Sequence, residues 1–183
     1  MTVQCYRPLC VLGAVENERG REIADEMMRW LVWHYDLHVV WHDGTLYEQP
    51  ALRYAQQLSL LTRQPVLYLH TKGAYNKPEL SRQIRRMWRK EFGAMPNRYF
   101  RAVSGDIPAV ACPLTGADRM TRYDGFVANP AAWYAIPLIV PSADRMTFEK
   151  LWQNYPDVRI YGLVNDKITS ATLREAHAII NQY

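Results

Sequence analysis

The sequence predicts an α/β protein with a mostly parallel sheet flanked by helices. In the first half of the chain, three short apolar segments alternate with two longer segments of helical periodicity, giving a β-α-β-α-β order. This alternation is typical of Rossmann-like folds, because parallel strands are joined by helical crossovers. The chain has 183 residues, 49% of them hydrophobic and 22% charged, which is enough for one globular domain with a sizeable core.

The elements of the first half follow from apolar spacing. Short apolar runs bounded by polar residues predict buried strands, and apolar residues repeated every three or four positions predict helices with one buried face. A proline supports the start of the second helix. The predicted elements are a strand at Pro8–Val15, a helix ending near Tyr35, a strand at Leu37–Trp41, a helix at Pro50–Thr62, a strand from Val66 and a helix at Glu79–Phe92.

The second half of the chain is less regular. We interpret residues 1–183 as a single domain, with residues 1–93 as a first half and residues 94–183 as a closing half. The predicted elements of the closing half are strands at Tyr99–Val103, Ala109–Cys112 and Val158–Leu163, loops at Leu114–Asp118 and Arg122–Phe126, and helices from Pro130, at Thr147–Tyr155 and at Ser170–Gln182.

The third predicted strand leads directly into polar residues. Val66–Leu69 is followed by His70, Thr71, Lys72 and Gly73. In open α/β sheets, ligands bind beyond the carboxyl ends of the strands. This strand end therefore offers a proton carrier, a hydroxyl and a fixed positive charge to a ligand. The same residues also fit a plain strand end with a solvated lysine and a turn glycine.

The helix predicted after this strand end carries a row of arginines. Arg82, Arg85, Arg86 and Arg89 stand at positions i, i+3, i+4 and i+7, away from the apolar face. Such a row is usually a solvated surface, and the alternative is a surface that faces phosphate or nucleic acid. The formal charge of +4 and the pI near 9.0 are compatible with both interpretations.

Several kinds of site are excluded by the sequence. His34, His38 and His42 are spaced by four, but they straddle a predicted helix end and a strand, so we predict no zinc site. The chain has no GxSxG, P-loop or GxGxxG motif, which argues against an α/β-hydrolase, an NTPase and a dinucleotide dehydrogenase.

The chain carries the features of a cytoplasmic protein. Its three cysteines, Cys5, Cys10 and Cys112, are odd in number and form no CxxC pair, which predicts reduced thiols. The first residues show no signal-peptide pattern. No stretch of about 18 apolar residues predicts a transmembrane helix.

Three stretches of the chain are similar to a known family: the run Glu48–Leu52, the strand end Val66–Gly73 and the pair Trp88-Arg89. They resemble a group of glycosyltransferase-like proteins, found in polysaccharide gene clusters and elsewhere. That group has a YLHTKG strand end followed by a helix with a Trp-Arg pair. The later segment Tyr123–Ile136 resembles the family's glycine-containing loop more loosely. The resemblance extends over roughly Leu9 to Leu138 and is most specific at His70 to Gly73.

In that loop, the family has an asparagine after the glycine, whereas this chain has Phe126.

The resemblance implies a nucleotide-sugar glycosyltransferase with a GT-A-like donor half. Typical members of that fold have an Asp-x-Asp at the corresponding strand end, where it holds a divalent metal on the donor diphosphate.

This chain has His70-Thr71-Lys72 at that position, so we expect a transfer that needs neither metal nor another cofactor. A leaving diphosphate must be neutralised by a metal or by fixed cations. Lys72, with His70 and Arg89 or Arg82, would supply fixed cations.

The resemblance also suggests residues for the site. The donor would contact Glu16, Asn17 and Asp43 in the first two strand-end loops, together with His70, Thr71, Lys72, Gly73 and Arg89. Proton transfer would fall to His70 or to Asp124, which stands between Tyr123 and Gly125. A carboxylate beside aromatic residues suits a general base, and an Asx turn is the structural alternative.

Two other functions remain open at the level of the sequence. One is a glycosyltransferase that acts on a modified DNA base, which the arginine row and the basic pI would suit. The other is a non-catalytic module that binds a nucleotide or a sugar.

Overall fold

A computed structural model describes residues 7–71, 78–113, 115, 125–140 and 151–164. In these ranges, six strands form one mixed sheet with helices on both faces. The elements in chain order are β1 (Leu9–Val15), α1 (Glu18–His34), β2 (Asp36–His42), α2 (Gln49–Thr62), β3 (Val66–His70), α3 (Pro78–Trp88), a π-helical turn (Arg89–Gly93), α4 (Pro96–Ala102), β4 (Ala109–Cys112), β5 (Phe126–Ala128), α5 (Pro130–Tyr134), a 3-10 turn (Leu151–Asn154) and β6 (Arg159–Gly162).

The sheet is mostly parallel, as predicted. Its strand order is β2-β1-β3-β5-β4-β6. β1 pairs in parallel with β2 and β3, and β6 pairs in parallel with β4. β5 is antiparallel to both of its neighbours, β3 and β4. Among the described strands, β5 is therefore the one that runs against the rest.

The two faces of the sheet have separate cores because side chains alternate along each strand. From β1, Cys10 and Leu12 pack in the core that contains α1, α3 and α4. Leu9 and Val11 pack in the core that contains α2 and α5. The β1-to-β2 and β2-to-β3 connections lead in opposite directions across the sheet. Right-handed crossovers therefore place α1 and α2 on opposite faces.

The direction of the chain reverses at the β1–β3 pair. After β1 the chain continues to β2 on one side, and after β3 it continues to strands on the other side. The loops that leave these two carboxyl ends consequently diverge. Such a reversal is the place where open α/β sheets form a ligand-binding crevice.

The predicted strand at Tyr99–Val103 is wrong, because this segment belongs to helix α4. Pro96 occupies its first turn, a position that suits proline. The Tyr99 side chain is buried, and its hydroxyl donates a hydrogen bond of 2.6 Å to the Glu91 carboxylate. This contact with the preceding π-helical turn favours a helix where the apolar and aromatic composition favoured a strand.

β5 was not predicted either, since Phe126 was assigned to a loop. The strand has three residues and gives no alternating pattern of its own, but all three are buried between β3 and β4.

The predicted helix at Thr147–Tyr155 is a 3-10 turn at Leu151–Asn154 in the part that the structure describes. The predicted helix at Ser170–Gln182 lies outside the described residues.

The other strands and helices of the described ranges agree with the prediction to within one or two residues, apart from the helix at Glu79–Phe92. Its second part is the π-helical turn. Across the described ranges, no helix combines the length and the apolar character needed to cross a membrane.

Candidate active site

His70 lies at the carboxyl end of β3, beside the strand-order reversal. It pairs in register with Gly13 of β1, and only 9% of the residue is exposed. The Trp88 indole meets the imidazole edge-on, with ring centroids 5.7 Å apart, and the Tyr68 ring lies 6.2 Å away. These contacts from β3 and α3 fix the position of the His70 ring.

Gly13 allows helix α2 to approach the sheet closely at this point. A Cβ atom on Gly13 would lie 2.9 Å from the Ala51 Cβ and 3.6 Å from the His70 Cβ. No side chain therefore fits between the first turn of α2 and β1. The start of α2 is consequently held against the sheet next to His70.

Thr71 ties the ends of β1 and β3 together. Its backbone N–H donates to the Gly13 carbonyl at 2.9 Å, and its hydroxyl accepts a 3.1 Å hydrogen bond from the Val15 N–H. Both bonds extend the pairing of the two strands by one residue. The buried hydroxyl predicted to serve a ligand thus has a structural partner at the base of the crevice.

Two further residues lie close to His70: Glu48, which is not among the predicted site residues, and His42, which precedes Asp43 in the strand-end loop predicted to recognise the donor. Glu48 immediately precedes α2, and its Oε1 is 4.0 Å from the His70 Nδ1. His42 ends β2, and both of its ring nitrogens are buried without a hydrogen-bond partner among the described residues. His42 alternates with Val40, which packs on the α2 face, so His42 and His70 lie on the same side of the sheet.

Electrostatic interactions join these groups. Burial lowers the pKa of His42, and the nearby His70 lowers it further. The carboxylates of Glu48 and Asp43 oppose this effect by raising the pKa of His42. Because the pKa falls below its ordinary value of 6.5, the His42 ring is neutral at pH 7. The edge therefore holds a neutral imidazole, a second imidazole and a carboxylate.

Asp43 is held in an Asx turn at the mouth of the site. Its carboxylate accepts hydrogen bonds from the Thr45 N–H at 2.9 Å and the Thr45 hydroxyl at 2.7 Å. The bond from the Thr45 N–H is the main cause that lowers the pKa of Asp43. Asp43 is exposed and ionised.

Glu16 and Asn17 also lie at the carboxyl edge, but they serve the start of α1. The Asn17 side chain caps this helix by accepting a hydrogen bond of 2.6 Å from the Gly20 N–H. Glu16 is exposed and forms a 3.5 Å ion pair with Arg21. The Asn17 side-chain oxygen predicted to contact the donor thus serves as the helix cap.

Trp88 connects the site to the segment before β5. Its indole is fully buried, and Nε1 has no hydrogen-bond partner in the described part of the chain. A Cβ on Gly125 would lie 2.5 Å from this nitrogen, so the Gly125 backbone rests directly on the indole. The structure thus brings together His70, Trp88 and Gly125, three residues that the sequence linked through the family resemblance.

The four-arginine row is not a single exposed surface. Arg85 is only 8% exposed, because it faces α1 and donates hydrogen bonds of 3.1 and 3.3 Å to the Glu26 carboxylate. Arg82 pairs with Glu79 at 3.0 Å. Arg86 and Arg89 are exposed. Arg89 directly follows Trp88 and begins the π-helical turn.

Three of the predicted site residues, Lys72, Gly73 and Asp124, lie outside the described residues. Within the described residues, no group of three or more histidines, cysteines or carboxylates has the arrangement of a metal site. His38, one of the three regularly spaced histidines, instead bonds the Tyr54 hydroxyl at 2.9 Å.

The chain was compared with protein-family models, curated proteins and solved structures, and no match was found. The carboxyl edge brings two imidazoles and a carboxylate, which are capable of acid–base chemistry, to the strand-order reversal, the place where open α/β sheets commonly bind ligands.

Proposed function

We propose that the protein is a glycosyltransferase that binds a nucleotide-sugar donor at the β1–β3 carboxyl edge. The observation that carries this proposal is the position of His70 at the strand-order reversal, with Glu48 and His42 beside it. A GT-A-like fold is part of the proposal. It is supported by helices on both faces of a sheet in which one strand runs against the others.

The donor diphosphate would bind where the chain leaves β3. Thr71 closes the base of the crevice, and Lys72 is the next residue in the sequence. The charge that develops on the leaving diphosphate needs a fixed cation close by. We assign that role to Lys72, with Arg89 as a second cation from the exposed surface after Trp88.

The same proposal includes transfer without a metal. The sequence after β3 is His-Thr-Lys rather than Asp-x-Asp, so cationic side chains take the position at which carboxylates would hold a metal. Activity should therefore survive EDTA. A strict requirement for Mn²⁺ or Mg²⁺ would contradict this part of the proposal.

The burial of Arg85 bears on the choice of acceptor. A DNA-directed transferase was suggested by four arginines on one face, and one of the four is paired with Glu26 inside the fold. We therefore propose a saccharide or another small hydroxyl compound as the acceptor. Salt-sensitive binding of duplex DNA would favour the DNA-directed version instead.

Calorimetric titration tests the donor site. UDP, UDP-glucose and UDP-galactose are titrated into the wild type, Lys72→Ala, His70→Gln and His38→Gln. His38 is the matched control, because it lies on the same strand and face as His42 but bonds Tyr54. We expect binding by the wild type and by His38→Gln, and a loss of about tenfold or more in the other two variants.

No binding of any of these compounds by the wild type, or equal affinities in all four proteins, would overturn the donor site. UDP release from a bound donor separates an enzyme from a binding module. Tight binding without any turnover would identify a non-catalytic module.

A further inference from the structure

We propose that Glu48 and His70 form a carboxylate–imidazole pair in which Glu48 fixes the tautomer of His70, and His70 accepts the proton of the attacking hydroxyl. Glu48 is a positioning residue and His70 is the base. The base role rests on the proposed transferase function, whereas the tautomer does not.

The burial of the two side chains determines which nitrogen is the base. The His70 side chain is 11% exposed and that of Glu48 is 20% exposed. The His70 Nδ1 is buried and lies 4.0 Å from the Glu48 Oε1. The carboxylate would stabilise a proton on Nδ1, and in that tautomer Nε2 carries the lone pair that can accept a proton.

The distance of 4.0 Å suits a pair that tightens during the reaction. It is within the range of an ion pair but longer than a hydrogen bond. When the ring gains a proton, its positive charge strengthens the attraction to the carboxylate. Catalytic hydrogen bonds are commonly long before the substrate binds.

Other polar side chains lie near the pair formed by His70 and Glu48. His42 on β2 interacts electrostatically with His70, Glu48 and Asp43, and the Tyr68 ring on β3 lies 6.2 Å from the His70 ring. His42 stays neutral at pH 7, because burial lowers its pKa.

The packing holds the ring ready for the reaction. The Trp88 indole meets it edge-on at 89°, and the β1–β3 pairing fixes its backbone opposite Gly13. A base that is already oriented loses little entropy when it reacts. The Glu48 backbone directly precedes α2, which packs closely against β1 at Gly13.

The proposed step balances as follows. The acceptor O–H bond breaks, its proton moves to the His70 Nε2, and the oxygen forms a bond to the anomeric carbon. The bond from that carbon to the diphosphate oxygen breaks, and the nucleoside diphosphate leaves with the electron pair. The His70 imidazolium, stabilised by Glu48, then returns its proton to solvent.

Nitrogen-15 NMR of protein labelled at histidine tests the tautomer directly. The proteins are the wild type, Glu48→Ala and Glu22→Ala. Glu22 is the control, because it is an exposed carboxylate on α1. His70→Gln assigns the resonance. We expect the Nδ1–H tautomer in the wild type and in Glu22→Ala, and a mixture of both tautomers in Glu48→Ala.

An Nε2–H tautomer in the wild type, or an unchanged His70 signal in Glu48→Ala, would overturn the inference even if donor binding is intact. Absence of nucleotide binding by the wild type would overturn the proposed function instead. The two failures are therefore distinguishable.

Kinetics test the consequence for the reaction. UDP release is measured with whichever of UDP-glucose and UDP-galactose binds the wild type. In Glu48→Gln we expect kcat to fall about ten- to hundredfold while the Kd for UDP is unchanged, because the carboxylate acts on the imidazolium and not on the donor. Glu48→Asp should recover part of the loss. An unchanged kcat in Glu48→Gln would contradict the positioning role.

Discussion

The buried amides of Asn129 and Gln56 differ from the His42 ring at the carboxyl edge in how completely their hydrogen bonds are made. Asn129 and Gln56 are buried amides whose donors and acceptors are all used. The Asn129 amide nitrogen donates to three carbonyls of the segment before β4, and its oxygen accepts from the backbone N–H groups of Ala109 and Ala132. The Gln56 amide joins α2 to α5 and to the segment after it in the same manner.

The histidine cluster at the carboxyl edge is different. His42 has two buried ring nitrogens without hydrogen-bond partners in the described ranges, and His70 stands 4.0 Å from Glu48. A buried polar group costs free energy unless its hydrogen bonds are made. Complete bonding marks the amides as architectural, whereas the buried ring nitrogens of His42 have no hydrogen-bond partner among the described residues, at the edge where we propose that the donor binds.

The largest effect on stability is expected from substitution of Asn129, the buried amide with the most hydrogen bonds of the two. Asn129→Ala removes the cap of α5 and leaves several buried backbone groups without partners. We expect the free energy of unfolding to fall by about 3 kcal/mol or more, measured by urea denaturation. Asn97→Ala is the control, because Asn97 is exposed on α4, and it should change stability by less than about 0.5 kcal/mol.

Gln56→Ala should have the next largest effect. It removes the contacts from α2 to the carbonyls of Trp133 and Pro137 and to the N–H of Ile139. The expected loss is about 2 kcal/mol. The neighbouring Gln57 is exposed, so Gln57→Ala should leave the unfolding midpoint almost unchanged. Equal losses in the two variants would show that the buried amide does not decide the result, because Gln→Ala raises helix propensity at both positions.

Gly125→Ala tests the contact between the Gly125 backbone and the buried Trp88 indole. The added Cβ would collide with the Trp88 indole, and that indole also contacts the His70 ring. We expect a loss of about 1–2 kcal/mol and a change in tryptophan fluorescence, because the core must shift to accommodate the methyl group. In a Trp88→Leu background the same substitution should cost less. An additive double mutant would mean that the two residues do not interact.

The smallest effect is expected from the pH dependence of His42. Its pKa is lowered in the folded state, mainly by burial, so the unfolded chain binds a proton more readily. Stability is therefore highest above pH 6.5 and falls as the pH drops through the lowered pKa. His42→Gln should reduce the loss between pH 7 and pH 5, whereas His38→Gln should not. The measurement is thermal unfolding across that range.

Glu48→Gln provides a second readout at His42. The Glu48 carboxylate raises the pKa of His42, so removing its charge should lower that pKa further. The histidine NMR signal reports this shift. A rise, or no change, would mean that the two side chains do not interact across the edge.

The elements with strong periodicity were predictable from the sequence. Along α1, Ile23, Met27, Trp30 and Leu31 recur at helical spacing and are all buried. Tyr99 was assigned to a strand because aromatic residues favour strands in the absence of other information. Its hydrogen bond to Glu91 is a tertiary contact that local composition does not contain.

The site was predictable in part. His70 was identified because a buried strand ends at it, and Trp88 entered through the family resemblance. His42 was predicted only together with Asp43, in the second strand-end loop. Glu48 was not predicted as a site residue, although it belongs to the resembling run, because its proximity to His70 depends on the packing of α2 against β1 at Gly13. Arg85 was placed on an exposed row because helical spacing does not show that α1 lies alongside α3.

The sequence by itself determined the alternation of strands and helices, the carboxyl end of β3 and the polar residues that follow it, because these depend on spacing between near neighbours. Only the tertiary structure decided that β5 enters the sheet between β3 and β4, that Asn17 and Thr71 serve the backbone, and that Glu48 faces His70. Each of these depends on which distant segments pack together, and that choice is made by the free energy of the whole core.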